Sequence, residues 1–347
     1  MHMADALVSP AVGGIMMAAS AAAIGVSVKK MSKERLDEAK LPESRNAKYS
    51  ALYPLMGVMG AFVFAGQMIN FTIPGTGSSG HIGGGILLAA LLGPWTALIT
   101  LAAVLLIQCL VFADGGLLAY GANVFNMGVA SCLLAYPFIY KPIIKRGTSK
   151  KNITIASIAS VVVGLQIGAF AVVLQTMASG VTALPFGAFA ALMQPIHLAI
   201  GLVEGIVTAS VLSFVHSARP EILDANRSER IPRGKPLKKV FATLVILTVL
   251  VGGGLSLFAS SYPDGLEWSI AGVAGETELE SEGGVYDSTA NIVESTAFMP
   301  DYSVANTDES LGTSTAGIIG SAITFALTLI IGVAISLLKK KTNAKPV

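Results

Sequence analysis

Ile86-Leu87-Leu88-Ala89-Ala90-Leu91-Leu92-Gly93-Pro94-Trp95-Thr96-Ala97, the head of an apolar tract that runs on to Phe112, is the stretch whose reading decides the architecture. Two loops rich in lysine and arginine flank it at a distance. The first carries Lys29, Lys30, Lys33, Arg35, Lys40, Arg45 and Lys48, and the second carries Lys141, Lys145, Arg146, Lys150 and Lys151. Loops of this kind stay on the cytoplasmic side of a membrane, so an even number of crossings must separate them. Hydropathy alone counts three segments, 50–70, 86–112 and 117–140. The tract from Ile86 to Phe112 must therefore belong to two passes. Gly93-Pro94 marks the break, since proline removes a backbone donor and glycine permits a sharp reversal. The first pass, His81 to Leu92, is about 18 Å of helix, too short for roughly 30 Å of hydrocarbon. A short glycine-rich segment at membrane depth is tolerated only where protein buries it or where it lines a cavity. His81 is thus expected at the mouth of an internal site.

Composition supports the same class. Of 347 residues, 53% are hydrophobic and 13% charged, which excludes an ordinary soluble domain with its charged fraction near 25%. The expectation is an all-α polytopic membrane protein. Residues 1–8 lack a basic leader and no small-residue cleavage site follows, so the chain start is expected to be kept. The first span, Val8 to Val28, is rich in Ala, Gly and Ser, which suits close helix contact. With the Lys29–Lys48 loop inside, the amino terminus lies outside, and the span Ser50 to Asn70 returns the chain to that side. Further spans run from Ile153 to Gln175 and from Ala183 to Val215. His197, within the latter, reads first as a packed, hydrogen-bonded histidine and second as a permeation residue; His216 reads as solvated at the inner edge.

The charge pattern also divides the chain. Residues 1–216 form a seven-helix membrane domain, and 217–239 a basic cytoplasmic linker. Residues 240–338 form a two-helix hairpin with spans Val240 to Ser260 and Ala316 to Leu338, and 339–347 a basic cytoplasmic tail. The loop within the hairpin, Ser261 to Gly312, bears only acidic charges, from Asp264 and Glu267 to Asp308 and Glu309, and is placed outside the cell membrane. Scattered carboxylates hold no fixed geometry, so the loop reads as a solvated surface in preference to a cation-gathering one. Cys109 and Cys132 fall in apolar runs and read as small buried hydrophobes.

The chain start carries the chemistry. Met1-His2 offers one metal ion the terminal amine, the deprotonated amide nitrogen of His2 and its imidazole Nδ1, closing a five-membered and a six-membered chelate ring. A second imidazole completes square-planar four-nitrogen coordination, the geometry of Ni(II) or Cu(II) in preference to Zn(II) or Mg(II). His81 is the candidate for that corner, on the same side as Met1. The bland alternative is that His2 merely follows the initiator, and the metal reading requires an unblocked start. Asp5, Ser78, Ser79, Asn123 and Asn126 are candidates to hold an imidazole N–H or to fix the loop, with ordinary turn or packing contacts as the alternative. Asp114, before Gly115-Gly116, is a candidate helix cap.

Met1-His2-Met3-Ala4-Asp5, Gly77-Ser78-Ser79-Gly80-His81-Ile82-Gly83-Gly84, Leu91-Leu92-Gly93-Pro94-Trp95, Phe112-Ala113-Asp114-Gly115-Gly116 and Gly121-Ala122-Asn123-Val124-Phe125-Asn126-Met127 together resemble the CbiM/NikM family. These are substrate-binding membrane components of energy-coupling-factor nickel and cobalt transporters. Ser261-Tyr262-Pro263-Asp264-Gly265-Leu266-Glu267-Trp268 resembles the start of the PDGLE domain of the small accessory component NikN or CbiN, fused here in one chain. The resemblance implies seven helices with the chain start tucked into the outer half of the bundle. It also implies a metal held by the Met1 amine, the His2 amide and imidazole, and His81. It implies two kinds of partner, a membrane coupling subunit (EcfT/NikQ/CbiQ-like) and a cytoplasmic ATPase dimer (NikO/CbiO-like). The chain has no Gly-x-x-x-x-Gly-Lys-Ser/Thr loop, so ATP hydrolysis falls to the partner and the chain is not read as an enzyme. Ni²⁺ is expected as the transported substrate because binding through an amide nitrogen favours metals late in the Irving–Williams series. Co²⁺ uptake for corrinoid synthesis is the alternative within transport. A membrane metal sensor or assembly factor is the alternative of another class.

Overall fold

The computed structural model describes residues 1–39, 52–223, 238–304 and 307–342. Lys40, Arg45 and Lys48 of the first basic loop, most of the basic linker and the last residues of the tail lie outside the described residues. Among those described, seven helices of eight residues or more precede the linker. They are α1 (Pro10–Ala39), α2 (Leu52–Gln67), α3 (Gly85–Leu92), α4 (Pro94–Phe112), α5 (Tyr120–Ile144), α6 (Lys150–Ser179) and α7 (Phe186–Ala218). After the linker come α8 (Lys238–Val249, continued by helical turns to Phe258), α9 (Gly265–Ala274), α10 (Val285–Thr296) and α11 (Glu309–Thr342). Seven of these are long and apolar enough to cross a membrane: α1, α4, α5, α6, α7, α8 and α11.

The break at Gly93-Pro94 falls where the parity argument puts it. Gly93 adopts φ 82°, and Pro94 opens α4 at the first helical position, where its missing N–H has no partner to lose. The short pass differs from expectation at its start. It begins at Gly85, not at His81, so α3 is 8 residues long, about 12 Å. Gly84 at φ 76° stops the helix from extending backward. The residues ahead of it pair as a hairpin, β1 (Phe71–Ile73) antiparallel to β2 (Ser78–Gly80), with Phe71 opposite Gly80. Every residue of α3 except Ala90 is buried, as a half-length helix at membrane depth requires.

Glycines let the helices approach closely. A Cβ on Gly121 would sit 2.4 Å from the backbone of Met17, so α1 and α5 touch main chain to main chain. A Cβ on Gly85 would meet Ser131 at 2.5 Å, fixing α3 against α5. The terminal hairpin is built the same way. Gly252 of α8 abuts Gly317 of α11, and α11 lies along α2 with Gly320 against Phe64 and Gly332 against Tyr53.

The acidic outer loop leaves most of its carboxylates exposed, as a solvated surface does, but it is not irregular. It folds into α9 and α10, and α9 starts with a reciprocal capping box in which Asp264 accepts from Leu266 N and Glu267 N while Glu267 accepts from Asp264 N. That local bonding gives at least one carboxylate of the loop a fixed position.

Gly121→Val should separate α1 from α5 and lower stability by about 1–3 kcal/mol, the cost of an overpacked contact with no room to relax. Gly14→Val, where nothing lies within 4 Å, is the control. Thermal unfolding of the purified protein in detergent reads both, and equal midpoints would remove the close-contact argument.

Candidate metal site

The first nine residues are not a free tail. Met3 N donates to Asn123 Oδ1 at 2.7 Å, and Asn123 Nδ2 donates to Met3 O at 3.1 Å, so one side-chain amide satisfies both polar groups of one residue. Gly116 N also donates to Met3 O, at 2.9 Å. Asp5 accepts from Ala119 N at 2.9 Å and from Thr289 Oγ1 at 2.7 Å. Tyr286 of α10 donates to Val8 O at 3.0 Å. Glycine at 116 is obligatory, because a Cβ there would lie 1.8 Å from the Asp5 carboxylate.

These contacts bury Met1 and place its ammonium 2.8 Å from Asp264 Oδ2. His2 and His81 come together as stacked rings, with centroids 5.2 Å apart and planes 11° from parallel. His2 Nδ1 pairs with Asp114 Oδ1 at 3.2 Å, and His81 Nε2 lies 3.9 Å from Asp264 Oδ2. Asp114 is therefore not the helix cap the sequence offered; its other oxygen accepts from Tyr302. Met1, His2 and His81 thus meet at one end of the bundle, under α9.

Of the other residues read from the sequence, none bonds an imidazole. Asn126 and Gln175 exchange hydrogen bonds at 2.8 Å, and Asn126 also reaches Met3 Sδ at 3.4 Å. Ser79 donates to Tyr262 O at 2.8 Å, Ser78 reaches Pro263 O at 3.4 Å, and Ser79 N donates to Pro263 O at 2.8 Å. Both serines therefore fasten the β-hairpin to the segment that carries Asp264. Asp5 and Asn123 hold the chain start.

Three participants escaped the sequence reading. Asp264 entered as one acid in a long acidic run and as part of the PDGLE-like segment, not as a site residue; the proline, glycine and capping glutamate around it were the available signal. Gln108 and Gln67 lie in apolar helices with nothing to mark them. Gln108 donates to Gln67 at 2.9 Å and Gln67 donates to Gly83 O at 3.1 Å, joining α4, α2 and the loop that carries His81. His2 Nε2 and Gln108 Oε1 are both buried without a partner of good geometry, and their side chains lie within reach of each other.

Burial and the Met1 ammonium push His2 down to about 3 and His81 to about 4, so both rings are neutral across the physiological range. Burial alone would raise Asp264; the ammonium and His81 outweigh it and hold that carboxyl well below its usual range. Burial and the charge on Asp264 push Glu267 up to about 7. A cleft of about 750 Å³ opens beside the site, lined by Asp5, His81, Asp114, Asp264, Glu267 and Asp301 among others and by no lysine or arginine. Its field favours cations. Among the described residues no three His, Cys, Asp or Glu side chains cluster to hold a metal.

The helical membrane bundle with a short buried half-helix and a clamped chain start is one that comparison with known proteins places among metal-transport components of the membrane. The chain belongs to the CbiM family, the cobalt uptake substrate-specific transmembrane region, whose profile matches residues 2–222, and the PDGLE domain matches residues 238–337. A protein of Archaeoglobus fulgidus described as a fused nickel transport protein, NikMN, is 31% identical over 94% of this chain and 96% of its own length. The fused nickel transport protein NikMN of Rhodobacter capsulatus is 28% identical over 74% of this chain and 72% of its own. The cobalt transport protein CbiM of Sorangium cellulosum is 32% identical over 55% of this chain and 85% of its own. A crystal structure of a transition metal transporter matches with a TM-score of 0.52 and 28% identity, over 67% of this chain and 100% of that one.

Asn123→Leu should free the chain start, because the two polar groups of Met3 lose a buried partner at about 1–3 kcal/mol. Labelling of the Met1 amine by an amine-reactive reagent should then speed up by about tenfold or more, since local opening governs access. An unchanged labelling rate would show that Asn123 is not the clamp.

Proposed function

We propose that this chain is the substrate-binding component of an ATP-driven energy-coupling-factor importer, and that it captures Ni²⁺ in a square of four nitrogens before delivering it to the cytoplasm. The four are the Met1 amine, the His2 amide, His2 Nδ1 and one imidazole nitrogen of His81. The observation that carries this reading is the burial of the chain terminus beside two neutral imidazoles, at 2.8 Å from a carboxylate. A terminus is seldom buried without a task, since termini usually fray. With Nδ1 on the metal, the remaining ring proton of His2 sits on Nε2, and Gln108 Oε1 is the acceptor within reach. Asp264 and Asp114 act as placeholders that hold the amine and His2 Nδ1 until the cation displaces them.

Residues 1–216 are proposed as the metal-binding domain. The two-helix element 240–338, with its acidic loop 261–312, is proposed as an accessory part that closes over the domain from outside, and 217–239 and 339–347 as its basic cytoplasmic connections. The Met1 end then faces outward and the carboxyl terminus inward. A membrane coupling subunit and a cytoplasmic ATPase pair supply the work of release. Cobalt is the second reading, favoured by the family description and by the Sorangium cellulosum relative. Competition between the two metals decides it.

His2→Ala and His81→Ala should each abolish high-affinity nickel binding in calorimetry, and one residue added before Met1 should do the same by moving the amine out of chelate register. Nickel bound in a square plane is diamagnetic and absorbs in the visible. High-affinity binding that survives any of the three changes would refute the ligand set.

Binding should also release two protons, one from the ammonium and one from the His2 amide, and none from imidazoles that are already neutral. Apparent affinity should therefore rise about 100-fold per pH unit while both nitrogens are protonated in the free protein. A tenfold rise would mean that the amide keeps its proton. A slope above two would mean that an imidazole is charged.

A further inference from the structure

Residues seven apart on a helix share a face, two turns and about 10 Å from one another. His197 and Glu204 are such a pair on α7, and both are buried, at 1% and 2% exposure. Ionisable side chains at this depth mark ion paths or proton relays. His197 Nδ1 lies 2.8 Å from Met193 O. A carbonyl can only accept, so Nδ1 carries the ring proton and Nε2 the lone pair. Nε2 is buried with no hydrogen-bond partner. It borders a cavity of about 20 Å³ shared with Met1, His81, Gly83, Asp264 and Gly265, room for one water or one cation. His81 is tied in the same manner, Nδ1 to Ile82 O at 3.1 Å, which leaves its Nε2 lone pair free.

Glu204 continues the line. One oxygen accepts from Gly84 N at 2.9 Å, and the other, beside Gly83, is buried with no partner of good geometry. Between the cavity and this carboxylate stands Gly83, where a Cβ would lie 3.5 Å from Glu204 Oε2. Lack of a side chain at that position leaves the way open. Holding Gly84 needs only one acceptor, so packing accounts for neither the second Glu204 oxygen nor the unpaired nitrogen of His197.

We propose that His197 and Glu204 form an inward track for the cation leaving the four-nitrogen plane, first at His197 Nε2 while His81 is still bound, then at the Glu204 carboxylate. The track rests on the nickel-capture reading above. Its donors are single and spaced along the helix, as transit requires, because a site must bind well enough to admit the ion and weakly enough to release it. The described residues accordingly hold no closed cluster of three ligands there.

The test uses His197→Phe and Glu204→Gln in the full chain, expressed with its coupling subunits. Nickel binding by the purified chain is read by calorimetry and by the visible band, and uptake by radioactive nickel entering cells. Both variants should bind within about threefold of the unaltered chain while uptake falls about tenfold or more, the pattern of a lost intermediate as opposed to a lost end state. Should His197→Phe fail to fold, His197→Gln is read in its place. Uptake near normal in either variant, or binding lost in step with uptake, overturns the track. Failure of the capture reading looks different: the unaltered chain would then show no square-planar band, or would keep it after His2→Ala.

Discussion

Asn123 grips Met3 by both of its main-chain polar groups, and the site depends on that clamp. Ordering each residue of a chain end costs about 1–2 kcal/mol of backbone entropy, so a terminus that serves as a ligand needs a continuous set of compensating contacts. Here they arrive in series. Met3 is fully buried, Gly116 adds a second hydrogen bond to its carbonyl, Asp5 ties to Ala119, and Tyr286 reaches Val8. The clamp residue stands at the head of α5 just before Val124–Tyr140, where the helix turns are wider than usual. Wide turns of this kind recur at functional positions because they re-aim side chains without ending the helix.

The hairpin of the PDGLE domain contributes groups to the candidate site. The segment before α9 runs against β2 through the Ser79 N–H, both serine hydroxyls bond to it, and Trp268 Nε1 donates to Thr76 O at 2.9 Å. Those contacts deliver Asp264 to the Met1 ammonium. The capping box then fixes the carboxylate, since Asp264 Oδ1 accepts from Leu266 and Glu267 while Oδ2 is left for the amine. Tyr302 does the corresponding work for Asp114 from the far end of the same loop. The hairpin thus supplies the acid that meets Met1 and braces the acid that meets His2.

What the sequence disclosed follows the range of the forces involved. The broken tract at Gly93-Pro94 was legible because hydropathy, basic loops and a backbone break are each properties of contiguous residues. His81 as the start of α3 was not, since Gly83 and Gly84 are as compatible with a loose helical turn as with the left-handed Gly84 that separates strand from helix. Met1, His2 and His81, read as a set from chelate chemistry and from the family resemblance, do lie together in space. Gln67, Gln108 and Asp264 were not legible as members of the site. Their roles arise from contacts between residues 16 to 263 positions apart, and nothing in a single sequence records such pairings. Ser78 and Ser79 illustrate the converse: hydroxyls beside a candidate ligand that serve a different partner.

Charge balance is the thread joining these parts. The N-terminus of α3 lies three residues beyond His81 and carries about half a positive charge, the wrong sign beside a cation site. Glu204 meets that end, taking the Gly84 N–H on one oxygen, and so satisfies one of the main-chain donors the helix start leaves open. On the opposite side, the Met1 ammonium already provides a positive charge against Asp264. A dication that displaces one ammonium proton and one amide proton leaves the net charge of this buried region unchanged. Placing two bare positive charges at such depth would otherwise cost many kcal/mol in lost hydration. On the proposed four-nitrogen capture, a metal would therefore exchange for protons instead of simply adding, and return of those protons to the two nitrogens would accompany release.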